Sequence, residues 1–267
     1  MTGLTTDLIR AALRDIPAIR RVEHYVSIGS TNDRARELAQ ADQPEIALVS
    51  ADEQTAGRGR QNRSWYTPGG AALALSLLVR PAIPAGQAMR LTMLAGLAAV
   101  EGIEQATGLR LDLKWPNDIV AMNKAQLHPL KVGGILTEAA FSGDAIEYAV
   151  IGLGININVD FGGQVELRDI AVSLKDLIGA EVDRLMVLRA VIAAFVDRYV
   201  GLRSDRRLRE AWAARLINLN RAVRVQLGAE VVHGYAAGVD DDGALLVRAD
   251  DGQVRRMLSG DVTLHNV

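Results

Sequence analysis

The sequence predicts an α+β fold whose main sheet is mixed and largely antiparallel, followed by a small all-β module. Apolar strands in apparent hairpins, beside long amphipathic helices, favour this class over a doubly wound parallel sheet. From Arg221 onward the pattern changes to short β segments separated by Asp242-Gly243 and Asp251-Gly252, which are strong hairpin signals. We therefore predict two domains, residues 1–217 and residues 218–267.

Helices are predicted where apolar residues recur at helical spacing after a capping residue. The segments are Leu4–Ile16 with Thr5 or Thr6 as its cap, the stretch that follows Ser30, Gln87–Thr107, Ser173–Ile178, Asp183–Arg203 and Arg206–Leu216. Gly108 is expected to end the helix Gln87–Thr107. Gly96 and Gly102 lie inside that helix. Because glycine costs about 1 kcal/mol relative to alanine in a helix, they indicate close packing.

Strands are predicted in short apolar runs bounded by turn residues. They are Ile46–Ala51, Ala71–Arg80, Leu111–Lys114, Val132–Ala140, Ile146–Asn156, Val223–Leu227, Val231–Tyr235, Ala244–Val247 and Val254–Leu258. Ala71–Arg80 is apolar on both faces, so we expect it to be covered on both sides. Residues 141–145 are expected to join their two neighbouring strands in a hairpin.

Composition excludes several classes of protein. With 49% hydrophobic residues the chain can form a core, and 30 basic against 32 acidic residues argue against a general nucleic-acid binder. The absence of cysteine excludes disulfides, thiolate nucleophiles and cysteine-ligated zinc. The sequence has neither an apolar leader nor a run long enough to span a membrane. We therefore expect a cytoplasmic protein without a membrane partner.

The segment Gln54–Trp65, QTAGRGRQNRSW, is the most informative part of the sequence. It places Arg58, Arg60 and Arg63 within six residues, with glycines between them. Guanidinium groups bind carboxylate or phosphate, and glycines let a backbone approach an anion closely. The ring of Trp65 is suited to stacking on a base such as adenine. From these residues alone, a solvated basic loop and an RNA-binding Gly-Arg patch remain alternatives.

Three shorter segments carry further polar groups. In Lys114–Asp118, KWPND, a proline-fixed turn presents a cation, an amide and a carboxylate suited to Mg²⁺ beside phosphates, or else caps its own backbone. In Lys131–Glu138, KVGGILTE, a lysine precedes a glycine pair that either admits a flat ligand or sets strand register. Ile151–Asn156, IGLGIN, lacks the third glycine of a dinucleotide-binding fingerprint.

Together with Gly29–Asn32, GSTN, these segments closely resemble the biotin protein ligases, in the same order and from about Ser27 to Asn158. The resemblance implies the catalytic fold of that family with a C-terminal SH3-like β-barrel. It implies ATP-dependent activation of biotin to biotinyl-5′-AMP, with Mg²⁺, and transfer of biotin to a lysine of a biotin carboxyl carrier protein. A lipoate–protein ligase of the same fold is the nearest alternative, and a non-catalytic RNA-binding protein is the other.

The resemblance also implies a role for individual residues. Ser30, Thr31, Asn32, Gln54, Gly59 and Gly134 are expected to contact biotin, and Arg63, Trp65, Lys114, Asn117 and Asn156 to bind ATP. The expected catalytic residues, which also contact biotin, are Lys131, Arg58 and Arg60. Lys131 would bridge the biotin carboxylate and the α-phosphate, while the two arginines close over biotin and the adenylate. Asp118 is the expected ligand of Mg²⁺.

Two features depart from the simplest members of that family. A longer insert follows Asp118 and makes Lys124 an alternative bridging lysine, although the Gly-Gly pair after Lys131 favours Lys131. About 25 residues precede the GSTN segment, fewer than a DNA-binding winged helix needs, so we expect a monofunctional ligase without DNA as a partner. A homodimer is also expected, because strands near Val132–Asn156 leave an edge that can pair with a second copy.

We predict that the chain shows no sequence-specific DNA binding. Its formal net charge is −2, and non-specific phosphate contacts weaken steeply as salt rises. A gel-shift titration at physiological salt with competitor DNA measures this. A retarded band that survives both conditions would contradict the prediction.

Overall fold

The computed structural model describes residues 3–41, 45–122, 128–202 and 207–264. The main sheet is built from β1 (Arg21–Ile28), β2 (Ala47–Gln54), β3 (Ala72–Val79), β4 (Asp112–Lys114), β5 (Asp118–Met122), β6 (Pro129–Ser142) and β7 (Ala145–Asn156). The strand order is β1-β2-β3-β7-β6-β5-β4, and of the described strands only β1 and β2 pair in parallel. The predicted mixed, largely antiparallel sheet is confirmed. Lys124 and the predicted helix ends at Arg203 and Arg206 lie outside the described residues.

The α-helices of the described residues begin and end within about three residues of the predicted positions, except that the first ends at Ala12 and not at the predicted Ile16. They are α1 (Thr6–Ala12), α2 (Thr31–Gln40), α3 (Met89–Thr107), α4 (Leu174–Ile178), α5 (Arg184–Gly201) and α6 (Leu208–Ala213). Thr5 caps α1 as predicted, because its side chain accepts a hydrogen bond from the backbone N–H of Leu8. Gly108 ends α3 in the left-handed region, at φ 72°. None of these helices is long and apolar enough to cross a membrane.

The main sheet is covered on both faces. α2 connects β1 to its parallel neighbour β2 and packs Ala35 and Leu38 into a cluster with Ala47, Val49 and Leu78 of the sheet. α3 and α5 contact each other and contribute to the main hydrophobic core. β3 is buried along its whole length, as its apolar residues predict. The N-terminus of α2 therefore lies against a sheet that is buried on both faces at β3.

The sequence does not predict β1, β5 or the last strand of the C-terminal module. β1 is an edge strand in which Val22 is the one fully buried residue, so it lacks the apolar run on which strand prediction depends. β5 begins inside the Lys114–Asp118 turn and pairs back on β4, so the turn residues hide it.

The C-terminal module is a five-stranded antiparallel sheet. It consists of β8 (Ala222–Leu227), β9 (Glu230–Val239), β10 (Leu245–Ala249), β11 (Val254–Met257) and β12 (Asp261–Leu264), in the order β11-β10-β9-β8-β12. Both Asp-Gly pairs form turns as predicted, with Gly243 at φ 87° and Gly252 at φ 83°. Strand pairs among the described residues do not include one between β11 and β12, which a closed barrel would need. The domain division at residue 217 stays a prediction.

We predict that Gly102→Ala destabilises the protein by about 1–3 kcal/mol, the range for overpacking a core. A Cβ at Gly102 would lie 2.5 Å from the backbone of Val191 in α5, so the two helices would have to separate. Gly201→Ala is the matched control, because Gly201 also lies in a helix and a Cβ there meets no atom within 4 Å. Denaturant unfolding measures both variants. Equal stabilities of the two would show that close helix packing does not require Gly102.

Candidate active site

A cleft of about 1410 Å³ opens beside the N-terminus of α2. Its walls come from loop 53–69, turn 114–118, β6, β7, segment 161–171 and residues 261–263 of the C-terminal module. Every residue predicted for the site lines this cleft, namely Ser30, Thr31, Asn32, Gln54, Arg58, Gly59, Arg60, Arg63, Trp65, Lys114, Asn117, Asp118, Lys131, Gly134 and Asn156. The structure thus brings these residues together. Which of them contact a ligand stays a prediction.

A network of polar side chains lies at the α2 end of the cleft. Gln54 Oε1 accepts hydrogen bonds from the backbone N–H of Thr31 at 2.9 Å and from its hydroxyl at 3.1 Å. Ser76 Oγ lies 2.7 Å from Thr31 Oγ1 and 2.6 Å from Asn32 Oδ1. Asn32 Nδ2 donates to Glu138 Oε2 at 2.7 Å. These bonds fix the orientation of the amide and hydroxyl groups before a ligand binds.

Two members of this network, Ser76 and Glu138, are missed by the sequence reasoning. Ser76 is the one polar residue in β3, and a polar residue inside an apolar strand is the signal that could have found it. Glu138 ends the KVGGILTE segment with no distinguishing pattern around it. Ser30 occupies the N-cap position of α2, but its hydroxyl makes no capping hydrogen bond. The polar network that supports Thr31 and Asn32 is therefore larger than the sequence predicts, although Ser76 and Glu138 do not themselves line the cleft.

Glycines on β7 make room for side chains that lie on the sheet. A Cβ at Gly152 would lie 2.4 Å from Asn32 Oδ1, and a Cβ at Gly154 would lie 2.4 Å from Trp65 Nε1. The Trp65 Nε1–H is buried and has no hydrogen-bond partner among the described residues. The Gly-x-Gly of IGLGIN therefore permits the close approach of two site side chains, a role unrelated to dinucleotide binding.

Residues 57–65, named here the GRGR loop, form a compact turn with its own backbone hydrogen bonds. The N–H of Gly59 donates to the carbonyl of Arg63 at 2.7 Å, and the N–H of Trp65 donates to that of Gly57 at 2.9 Å. A Cβ at Gly57 would lie 2.6 Å from the carbonyl oxygen of Trp65, so the turn requires glycine at this position. The two hydrogen bonds and the glycine therefore define the shape of the loop.

Arg58 holds the GRGR loop against α2. Its guanidinium donates two hydrogen bonds to the carboxylate of Asp33, at 2.8 and 2.6 Å. This hydrogen bonding raises the pKa of Arg58 and lowers the pKa of Asp33 below its usual range. Arg36 of the same helix also donates to Asp33, at 2.9 Å.

The other two arginines bind different parts of the protein. Arg60 donates to Asn117 Oδ1 at 3.2 Å and to the carbonyl of Gly260 at 3.5 Å, and burial lowers the pKa of its guanidinium. Arg63 forms an ion pair with Asp261. Gly260 and Asp261 belong to the C-terminal module, and no motif in the sequence predicts their position at the site. The module therefore takes part in closing the cleft.

A β-bulge in β6 directs Lys131 toward the cleft. The pairing of β5 with β6 shifts by one residue at Val132, which is left unpaired. Residues three apart in a regular strand point to opposite faces, but here the Lys131 side chain passes 3.3 Å from where a Cβ at Gly134 would be. The Lys131 ammonium lies 2.7 Å from Asp118 Oδ1 and 5.2 Å from the centre of the Trp65 ring.

The backbone of Lys131 is held by segment 170–172. Its N–H donates to the carbonyl of Ile170 at 2.8 Å, and its carbonyl accepts from the N–H of Val172 at 3.0 Å. The carbonyl also accepts from Asn156 Nδ2 at 3.2 Å. Asn156 is buried and thus positions the lysine in this structure. Its predicted contact with phosphates stays a prediction.

The turn 114–118 is anchored by Trp115, whose side chain is fully buried. The indole Nε1 donates to the carbonyl of Gly243 at 3.0 Å, and the backbone N–H donates to Asn218 Oδ1 at 2.6 Å. Burial lowers the pKa of the Lys114 ammonium at the start of the turn. The C-terminal module therefore fixes this wall of the cleft as well.

Two family matches cover the two sheets. Residues 25–156 match the Biotin/lipoate A/B protein ligase family, and residues 219–264 match the Biotin protein ligase C terminal domain. The Bifunctional ligase/repressor BirA of Bacillus subtilis is 35% identical over 98% of this chain and 79% of its own length. The Biotin--[acetyl-CoA-carboxylase] ligase of Mycobacterium tuberculosis is 31% identical over 91% of this chain and 88% of its own length.

The fold is also similar to a solved structure, the biotin protein ligase from Aquifex aeolicus in complex with biotin and ATP. The two chains superpose with a TM-score of 0.77 and 25% identity, over 93% of this chain and 100% of the other. The similarity thus extends over nearly the whole chain. The chain belongs to the biotin protein ligases.

Proposed function

We propose that the cleft joins the carboxylate of biotin to the α-phosphate of ATP and then transfers biotin to a lysine of a biotin carboxyl carrier protein. Relatives named as biotin–[acetyl-CoA-carboxylase] ligases, and a similar structure that holds biotin and ATP, support this activity. One observation carries the assignment to residues: a fixed amide-and-hydroxyl network and a set of cations meet in one cleft. The network suits the neutral, polar head group of biotin, and the cations suit its carboxylate and the phosphates of ATP.

In the first step, a carboxylate oxygen of biotin attacks the α-phosphorus and pyrophosphate leaves. Two anions must approach each other, so the negative charge that develops on the phosphorus oxygens needs fixed positive charge. Lys131 supplies it, because the bulge aims its ammonium into the cleft and the surrounding hydrogen bonds fix its backbone. In the second step, the amine of the carrier lysine attacks the acyl carbon and loses a proton, and AMP leaves.

Asp118 is the proposed protein ligand of Mg²⁺. The described residues contain no cluster of three His, Cys, Asp or Glu side chains that would hold a metal unaided. A single carboxylate does fit a Mg²⁺ that is held mainly by nucleotide phosphates and water. When bound there, Mg²⁺ would neutralise phosphate charge. A ligand anion that takes the ammonium of Lys131 would leave the carboxylate of Asp118 for the metal.

Neither alternative activity is favoured. The named relatives and structural neighbours are biotin protein ligases, and the match over residues 219–264 is to the biotin ligase C-terminal domain. An RNA-binding role for Arg58, Arg60 and Arg63 is weakened because each of them binds a group of the protein itself.

A homodimer is part of the proposal. β6 continues past the end of β5, so among the described strands residues 137–142 pair with β7 alone. Such an edge is suited to pairing with the same strand of a second copy. The cytoplasmic location and the absence of a DNA partner remain expectations from the sequence.

We predict that the protein forms biotinyl-5′-AMP from biotin, ATP and Mg²⁺ without any acceptor protein, because the residues assigned to activation all line one cleft. Mass spectrometry of the product and exchange of radiolabelled pyrophosphate into ATP measure this. Lipoate in place of biotin is the control. Exchange with lipoate alone would identify a lipoate ligase. Exchange with neither biotin nor lipoate would contradict the proposed activity.

Lys131→Ala is predicted to slow adenylate formation roughly 10²–10³-fold, as expected for loss of an electrostatic stabiliser. Arg58→Gly is predicted to form biotinyl-5′-AMP but to release it faster, with stray biotinylation of nearby lysines, because Arg58 lies on a loop and not on a strand. Lys175→Ala is the control, since Lys175 pairs with Glu181 and does not line the cleft. Single-turnover adenylation and adenylate release are measured for all three. Native adenylation by Lys131→Ala, or native retention by Arg58→Gly, would show that the assigned roles are wrong.

A further inference from the structure

The guanidinium of Arg58 is bound by the protein itself. Nη1 donates to Asp33 Oδ2 at 2.8 Å, and Nη2 donates to Asp33 Oδ1 at 2.6 Å. This parallel two-bond arrangement adds geometric specificity to charge, because it fixes the plane of the guanidinium as well as its position. One edge of the Arg58 guanidinium is therefore engaged before any ligand binds.

We propose that Asp33 is a positioning residue of the ligase, which holds Arg58, and with it the GRGR loop, over the cleft and so retains biotinyl-5′-AMP. The inference rests on the proposed function. In this role Arg58 closes the cleft by binding α2, and the adenylate is retained because the loop covers it. Asp33 is not among the residues that line the cleft, so it acts through Arg58.

The position of Asp33 suits an anchor. Asp33 lies in the first turn of α2, directly after Thr31 and Asn32 of the fixed polar network. α2 is packed on the sheet, whereas residues 61–64 at the tip of the GRGR loop are exposed. The ion pair of Asp33 with Arg58 thus joins a helix packed on the sheet to a loop whose tip is exposed.

A chain of charges connects this ion pair to the polar network. Arg36 donates to Asp33 at 2.9 Å and to Glu138 at 3.3 Å, and Glu138 accepts from Asn32 at 2.7 Å. Because Arg58 and then Arg36 stabilise its carboxylate, the pKa of Asp33 lies below its usual range and Asp33 is ionised at neutral pH. Its carboxylate accepts hydrogen bonds from both Arg36 and Arg58.

Two possible roles of Arg58 predict opposite changes in the rate at which Asp33→Asn releases the adenylate. If Arg58 retained the adenylate by binding it directly, loss of the Asp33 charge would free the guanidinium for the ligand. Release would then be unchanged or slower. If Arg58 holds the loop through Asp33, the same substitution removes the anchor, and release becomes faster, as in Arg58→Gly.

The experiment measures the formation and the dissociation of biotinyl-5′-AMP in Asp33→Asn, Arg58→Gly and the double variant. We expect release from Asp33→Asn to be roughly 2–5-fold faster than from the parent, with adenylate formation close to the parental rate. The double variant should release the adenylate no faster than Arg58→Gly does. Both substitutions break the same interaction, the ion pair of Asp33 with Arg58, so their effects should not add. Glu37→Gln is the matched control: it removes a carboxylate of α2 that pairs with Arg34, and its release rate should equal that of the parent.

A conservative variant separates the anchor from general damage to the helix. Asp33→Glu keeps the carboxylate, so it should release the adenylate more slowly than Asp33→Asn, and thermal midpoints establish that each variant is folded. Asp33→Ser provides the same test if Asp33→Asn is unstable. If folded Asp33→Asn releases the adenylate at the parental rate while Arg58→Gly releases it quickly, the role of Asp33 is wrong, but the role of the loop still stands. Parental retention by Arg58→Gly would overturn the role of the loop, and absence of adenylate in the parent would overturn the proposed activity.

Discussion

Repulsion among the cations of the cleft is the constraint on which the rest of the site depends. The cationic side chains that line it, among the described residues, are Arg58, Arg60, Arg63, Lys114 and Lys131. Like charges gathered in a partly buried site are stable only where acceptors lie among them. The fold supplies these acceptors from separate elements: Asp33 from α2, Asn117 and Asp118 from the turn 114–118, and Asp261 from the C-terminal module. The residues that pair these charges also join the walls of the cleft, and the C-terminal module is one of those walls.

Under the proposed function, the substrates compete for these same cations. Biotin brings a carboxylate and ATP brings phosphates, so each substrate anion can replace an acid that holds a cation in the ligand-free protein. The pair formed by Lys131 and Asp118 shows why such an exchange is feasible. The ammonium would pass from one anion to another, so that its charge would have a partner in both states. The carboxylate that is released is then available to a divalent cation that accompanies the phosphates.

Local chemistry is the part of this molecule that could be predicted from the sequence. The cap at Thr5 and the left-handed stop at Gly108 are each determined by a few neighbouring residues, and so are the two Asp-Gly hairpins. What the sequence did not predict depends on residues far apart in the chain. The bulge at Val132 exists only in the pairing of β6 with β5, and nothing in a valine marks it as the extra residue. The ion pair of Asp33 with Arg58 likewise requires knowing that the GRGR loop folds back onto α2. Each of these long-range contacts decides where a predicted site residue points.

The cations of the cleft differ in what holds their backbones, and this difference separates their tasks. Lys131 lies in a strand, and Ile170, Val172 and Asn156 fix its backbone, so its ammonium stays within a small volume. Such fixed placement is what stabilisation of a developing charge requires. The loop arginines are carried by a segment with an exposed tip, held to its surroundings by side-chain contacts such as that of Arg58 with Asp33. A loop held in this way can open when its side chains exchange partners. A ligase that shields a reactive anhydride from water and later presents it to a carrier lysine needs both kinds of cation. Lys131 must stay in place while the bond to the α-phosphate forms. The arginines of the GRGR loop must let the loop open when the acceptor protein arrives.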